Sequence, residues 1–396
     1  MVAALTRLFG PRHIELAEDV VQETLLKAMR EWPFRGVPDE PAAWLHHVAR
    51  NLAIDHLRRD ARGLELLKEN AALLRSEWTL SSTVNDLMNE PGIADDQLRM
   101  IFACCHPALS EEQQVALALK TLCGFGVPEI AHAFQTNEET INKRLYRARE
   151  AFRELGRLEI PSGYAFSARL EQVLSIIYLL FNEGYNATRH DDLIREDLIE
   201  EALRLCALVT LNPVTEAPSV HALLALMLFH AARSEARMDP QGALVLLKDQ
   251  DRSRWNRDLI ALANQHLDRS AQGERMTTYH LEAGIAAVHA NASTYESTDQ
   301  HTILGLYDEL LLVKPTPIVR FNRAIAIAGS LGAEAGLAAL DAITELDSNH
   351  LFHAARGDLL LRSGQRARSG EAFVRALELA RAPAEVAFLR KKLGDV

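Results

Sequence analysis

The sequence predicts an all-α protein: two small helical units followed by a large helical C-terminal region. Three observations carry that expectation. Alternating β-branched runs, which would mark strands, do not appear, whereas Ala, Leu, Arg and Glu recur at three- to four-residue spacing. The stretch from Gly126 to Arg149 reads as a short helix, a tight turn and a basic helix. Towards the C-terminus Ala324, Ile327, Gly336, Leu340 and Ile343 are matched 33 residues later by Gly357, Leu360, Ser369, Phe373 and Ala376, the pattern of stacked helix pairs.

Residues 1–60 form the first unit. Leu16 to Met29 reads as a helix with Glu15, Glu18 and Asp19 around its first turn, where carboxylates favour the helix dipole. Trp32 to Pro41 reads as a loop because three prolines and a glycine interrupt it. Ala42 to Arg59 reads as a long helix with Leu45, Val48, Ala49 and Leu52 on one side and His46, His47, Arg50, Asp55 and Arg58 on the other; Trp44 suits the core. Residues 61–94 read as an acidic linker, with Ser81-Ser82-Thr83 and Asn89-Glu90-Pro91-Gly92 poor in helix formers. Residues 95–160 form the second unit, closed by the Pro and Gly of Pro161-Ser162-Gly163. Residues 161–396 form the helical C-terminal region, where Phe181-Asn182-Glu183-Gly184-Tyr185 suits a helix C-cap with Gly184 at C′ or a ligand or docking role.

In the second unit Pro128 fits the first turn of a helix, where its missing N–H is not needed. Ile130, Ala131 and Phe134 make an apolar ridge, and Thr136 followed by Glu139 matches a capping box. Ile141, Leu145, Ala148 and Phe152 recur at helical spacing and face the core, leaving Thr140, Lys143, Arg144 and Arg147 outward. From Asn142 to Arg157 six basic residues face two acidic ones, a local net of +4. That is the footprint of a phosphate contact, although a solvated amphipathic helix has the same charges.

The 396-residue chain carries a net charge of −11 and 48% hydrophobic residues, which allows several cores and argues against a non-specific nucleic-acid coat protein. Four cysteines in so long a chain imply a reducing compartment without a disulfide framework. No apolar run approaches about 18 residues, and the start lacks a signal-peptide apolar core. A cytoplasmic protein without membrane contact is expected. Cys104-Cys105-His106 has no CxxC partner, so packing rather than metal binding is expected. There is no Gly-rich phosphate loop, nucleophile elbow or paired catalytic carboxylate. Neither an enzyme nor a cofactor is expected.

Ala17-Glu18-Asp19-Val20-Val21-Gln22-Glu23-Thr24 resembles the region 2.2 helix of bacterial sigma-70 family factors, and Trp44 to Arg59 resembles the region 2.3–2.4 helix that follows it. The helix-turn-helix is similar to region 4.2. The order and separation of the three motifs resemble extracytoplasmic-function (ECF) sigma factors. Asp95 to Leu109 and Phe181 to Tyr185 resemble the subgroup with a C-terminal tetratricopeptide-like (TPR-like) extension.

The resemblance implies that Asp19, Gln22 and Glu23 dock on the clamp of core RNA polymerase, where acidic and amide groups meet a basic surface. It implies that the loop from Phe34 and Arg35 to Pro38 receives a base flipped from the −10 element. Arg50, Asn51, Asp55, Arg58 and Arg59 would contact the −10 strand; Thr140, Asn142, Lys143, Arg144 and Arg147 would meet the −35 element. The implied function is a sigma factor directing promoter-specific initiation, regulated in cis by a helical C-terminal domain that also offers a surface to a protein partner. The alternative is a helix-turn-helix regulator that binds duplex DNA without being a polymerase subunit. In the family the first helix normally starts a dozen or more residues earlier, which implies a start upstream of Met1 or the loss of part of that helix.

Overall fold

The computed structural model describes residues 1–9, 13–59, 96–134, 136–154, 164–186, 194–213, 215–240, 244–273, 275–380 and 383–394. Within them the chain is helical, apart from 3-10 turns and one isolated antiparallel bridge between Met238 and Leu244. It divides into two compact units, one of Met1–Leu179 with Asn212–Thr215, the other of Leu180–Leu211 with Glu216–Val396. The linker expected over 61–94 and the boundary expected at 161–163 lie outside the described residues.

The first unit contains α1 (Val2–Phe9), α2 (Ile14–Arg35) and α3 (Pro41–Arg59). Every third or fourth residue of α2 faces inward: Ile14, Ala17, Val20, Thr24 and Ala28 are buried. Ala17 and Val20 meet Leu5 of α1 and Ala49 and Ala53 of α3 in one apolar cluster. Thr24 sits in this stripe because its hydroxyl donates to the Val20 carbonyl at 2.7 Å. The expected loop over Trp32–Pro41 begins later than the prolines suggested, because α2 continues through Pro33 to Arg35. Pro33 removes one backbone donor yet does not stop the helix; Gly36 does, at φ 81°, its N–H donating to the Trp32 carbonyl at 2.9 Å. Trp44, expected in the core, is half-buried and meets Trp32 edge to face, 5.6 Å between ring centroids.

The same unit holds α4 (Asp96–Cys104), α5 (Glu111–Leu122), α6 (Val127–Ala133) and α7 (Glu138–Glu154). Ser110 and Gln113 cap α5 reciprocally. Cys104 and Cys105 are buried, and burial pushes the Cys105 thiol up to about 12. Among the described residues no group of three or more His, Cys, Asp and Glu side chains is placed to hold a metal, and no helix is long and apolar enough to cross a membrane.

Helix α8 (Tyr164–Tyr185) leads to the C-terminal unit: α9 (Glu196–Leu211), α10 (Pro218–Ala231), α11 (Arg257–Ser270), α12 (Thr278–Asn291), α13 (Gln300–Val313), α14 (Pro317–Leu331), α15 (Ala333–Asp341), α16 (His350–Arg362), α17 (Arg366–Leu379) and α18 (Pro383–Gly394). From α12 onwards each helix packs on the next, and α14 also touches α16. The 33-residue repeat is the pair of hairpins α14–α15 and α16–α17. Its small positions are crossing points: a Cβ on Gly336 would lie 2.4 Å from the Ala328 Cβ, and one on Gly357 would lie 2.9 Å from the Phe373 ring. Ser369 is fully buried and donates to the Gly357 carbonyl at 2.8 Å. Gly184 is not a C-cap, contrary to one reading of its motif. It lies inside α8, where a Cβ would meet Ile199 N at 2.8 Å, so glycine lets the start of α9 approach. Tyr185 beside it is stacked on Phe181 and lies under the Arg237 guanidinium, 3.7 Å away, which places the motif in packing.

Candidate nucleic-acid interface

Helix α6 starts where Gly126 donates its N–H to the Glu129 carboxylate, and Pro128 occupies the first turn. The cap of α7 is Asn137 rather than the expected Thr136. Its side-chain oxygen accepts from the Thr140 N–H and from the Thr140 hydroxyl, each at 2.9 Å, because Asn137 is three residues before Thr140. Ile141, Leu145, Ala148 and Phe152 are all buried, as the periodicity required. Ile130 and Ala131 join them, whereas Phe134 is half-buried and carries the Arg144 guanidinium over its ring at 5.2 Å.

The outward face of α7 presents Asn142, Lys143, Tyr146 and Arg147, all exposed. Tyr146 was not singled out from the sequence, although it is 68% exposed. An aromatic ring off the buried stripe of a basic helix was the available signal, since such rings stack on bases or apolar groups of a partner. The basic charge of this helix is partly answered within the unit. Lys143 pairs with Glu139 at 2.7 Å, Arg144 lies 3.6 Å from Glu112, Arg149 reaches Glu18 of α2 at 3.0 Å, and Arg153 reaches Glu15 of α2. Among the described residues this leaves Arg147, beside the exposed Asn142 and Tyr146, as the cation of the face with no carboxylate against it, narrower than the charge count implied.

In the first three helices Asp19, Gln22 and Glu23 are brought together on the exposed side of α2. Glu23 also lies 3.2 Å from His56 of α3, which ties this face to the neighbouring helix. Leu26 and Met29 continue the same face, and Met29 is 73% exposed. Sequence reasoning missed them. The signal was present: Leu25, Leu26 and Met29 fall off the buried stripe of α2, and apolar residues there serve no internal core.

Phe34 and Arg35 stand on the last turn of α2 rather than in the expected loop, and Phe34 is 90% exposed. The loop itself is Gly36–Glu40, leading into Pro41 at the start of α3. On α3 Asn51 and Asp55 are exposed, four residues apart on one face, and the Asn51 amide lies 3.0 Å from His47 Nε2. The side chains of Arg50, Arg58 and Arg59 lie outside the described residues. Two exposed surfaces result: an acidic and apolar face on α2 beside the polar face of α3, and a polar, aromatic and basic face on α7.

Residues 1–63 match the family model of sigma-70 region 2, residues 99–152 that of sigma-70 region 4, and residues 169–271 a family of unknown function, DUF6596. An uncharacterized protein, R00370, from Rhizobium meliloti (strain 1021) is 38% identical over 397 residues, covering 100% of this chain and 93% of its own. The ECF RNA polymerase sigma factor SigL of Mycobacterium tuberculosis is 33% identical over 138 residues, 35% of this chain and 72% of SigL. The ECF RNA polymerase sigma-E factor of Salmonella typhimurium is 29% identical over 136 residues, 34% of this chain and 70% of that protein. No solved structure matches the chain. With both sigma-70 regions matched in order and SigL 33% identical over 72% of its length, the chain belongs to the extracytoplasmic-function sigma factors of the sigma-70 family.

Proposed function

We propose that the chain binds core RNA polymerase and directs it to a class of promoters. Domains 1–60 and 95–160 do the binding, joined by the linker 61–94, and residues 161–396 regulate the outcome. Asp19, Gln22 and Glu23 on α2 dock to the polymerase clamp, with Leu26 and Met29 filling an apolar recess beside them. Phe34 and Arg35 at the end of α2 hold a base turned out of the −10 element, with Arg50, Asn51, Asp55, Arg58 and Arg59 of α3 along the strand. Thr140, Asn142, Lys143, Arg144 and Arg147 of α7 meet the −35 element. No bond is made or broken: binding energy spent on unstacked bases opens the duplex.

The observation that carries this reading is the exposed face of α2. Carboxylates and an amide next to uncovered Leu26 and Met29 make a surface built for a protein, where burying apolar area gives affinity and charges set register. A helix-turn-helix regulator acting alone has no use for it.

Run-off transcription with purified core enzyme and a genomic promoter library tests the reading. The full chain should drive initiation from a subset of templates. Replacing Asp19, Gln22 and Glu23 by Ala should reduce core capture, and replacing Lys143, Arg144 and Arg147 by Ala should spare capture but lower promoter use. A chain that neither captures core enzyme nor starts any transcript refutes it.

A further inference from the structure

The C-terminal unit contains a cavity of about 410 Å³ among α12, α13, α14, α16 and α18, which none of the proposed polymerase or promoter contacts touches. Its volume falls in the range of about 300–1,000 Å³ typical of small-molecule sites. The walls are mainly apolar and aromatic, with Leu246, Tyr295, Tyr307, Phe321 and Phe388 among them. Ile325 and Leu351 also line it and remain 38% and 47% exposed, so apolar surface is left uncovered inside a concavity rather than scattered over the outside.

The polar groups of the cavity are few and specific. Gln300 Nε2 and His289 Nδ1 are buried there with no hydrogen-bond partner among the described residues. A buried polar atom of this kind is costly unless something supplies its bond. Gln300 is set in place by a gap in the neighbouring helix: a Cβ on Gly329 would lie 2.7 Å from Gln300 Oε1. Among the charged lining groups two close pairs form, Arg362 lies 3.9 Å from Asp358, and Lys392 lies over the Phe388 ring. Lys248 binds Asp358 at 2.8 Å, and His350 lies 3.1 Å from Glu385. Burial, reinforced by Arg233 and Arg252, holds His289 neutral, its pKa pushed down to about 4. An oxygen acceptor on an apolar body would find an unused N–H between apolar walls.

We propose that this cavity binds a small, uncharged, mainly apolar molecule carrying a hydrogen-bond-accepting oxygen, with that oxygen turned towards Gln300. Binding here is independent of the transcription reading and is tested without polymerase or DNA.

The probe is Nile red, an uncharged aromatic dye with a carbonyl oxygen whose emission rises in apolar surroundings, titrated into the full chain. A single saturable class of sites is expected. Ala355→Trp, on the α16 wall, should weaken binding more than about tenfold by filling the space. Gln300→Leu should weaken it about fivefold, the worth of one neutral hydrogen bond. On the unsubstituted chain, hydrogen exchange should slow in α13 and α16 when dye is added, which decides the matter even if Ala355→Trp fails to fold. Emission that never saturates, binding that survives in a folded Ala355→Trp protein, or protection confined to other helices overturns the proposal and leaves the cavity to water.

Discussion

Arg149 of α7 and Glu18 of α2 form an ion pair at 3.0 Å, although 131 residues separate them, and both side chains are only about one-fifth exposed. The pair joins the helix expected to read the −35 element to the helix expected to hold the polymerase. A double-mutant cycle with Arg149→Ala and Glu18→Ala should show a coupling of about 1 kcal/mol in the stability of the first unit, within the range for partly exposed pairs. Chemical denaturation of the four proteins measures it; additive losses would mean that the contact contributes nothing.

The cap of α7 separates two readings of one turn. Asn137→Ala should cost about 1 kcal/mol, because the N–H of Thr140 then loses its acceptor, while Thr136→Ala should stay within a few tenths. Thermal melts of both variants compare them directly, and the −35-dependent transcript should fall more in the first.

Gly184→Ala should destabilise the C-terminal unit by about 1–3 kcal/mol, since the new methyl group meets the backbone of Ile199 and Arg195 rather than a flexible side-chain end. Gly305→Ala is the control, because nothing lies within 4 Å of its added Cβ. A helix-interior Gly→Ala exchange in open space should instead stabilise slightly. Equal melting shifts for the two variants would contradict the packing of α8 on α9.

The C-terminal unit should lose stability as the solution is acidified. Burial, then His221 and Arg269, push His266 down to about 4; burial, then Arg233 and Arg252, push His289 to about 4 as well. Both imidazoles lie below the unfolded value of about 6.5. Below that value the unfolded chain takes up protons that the folded chain refuses, so stability falls from about pH 6.5 and levels off near pH 4. For the largely buried His289 the loss is on the order of 3 kcal/mol. Melting temperatures across this window, followed by emission of the buried Trp255, should decline, and His289→Gln should flatten the decline.

Much of this architecture was legible because α7 and α2 obey helical periodicity so strictly. Ile141, Leu145, Ala148 and Phe152 could be assigned to the core from spacing alone. The small residues of the 33-residue repeat likewise mark true crossing points, Gly336 against Ala328 and Ser369 against Gly357. What spacing did not disclose was tertiary. Pro33 looked like a terminator, yet one missing hydrogen bond is tolerable in a helix held by its buried stripe, and the real stop is the positive φ of Gly36. The basic residues of α7 looked unopposed because Glu15 and Glu18, which answer two of them, lie more than a hundred residues earlier. The cavity was invisible for a related reason: Gln300 and His289 acquire meaning only when α14, with Gly329, and α16 and α18 close around them.

Of the four tryptophans in the chain, Trp32 and Trp44 meet edge to face on either side of the Gly36–Glu40 turn. That placement makes the turn its own optical gauge. A nucleotide wedged there would part the indoles and alter their near-ultraviolet dichroism, so strand capture becomes observable in real time without attaching a dye.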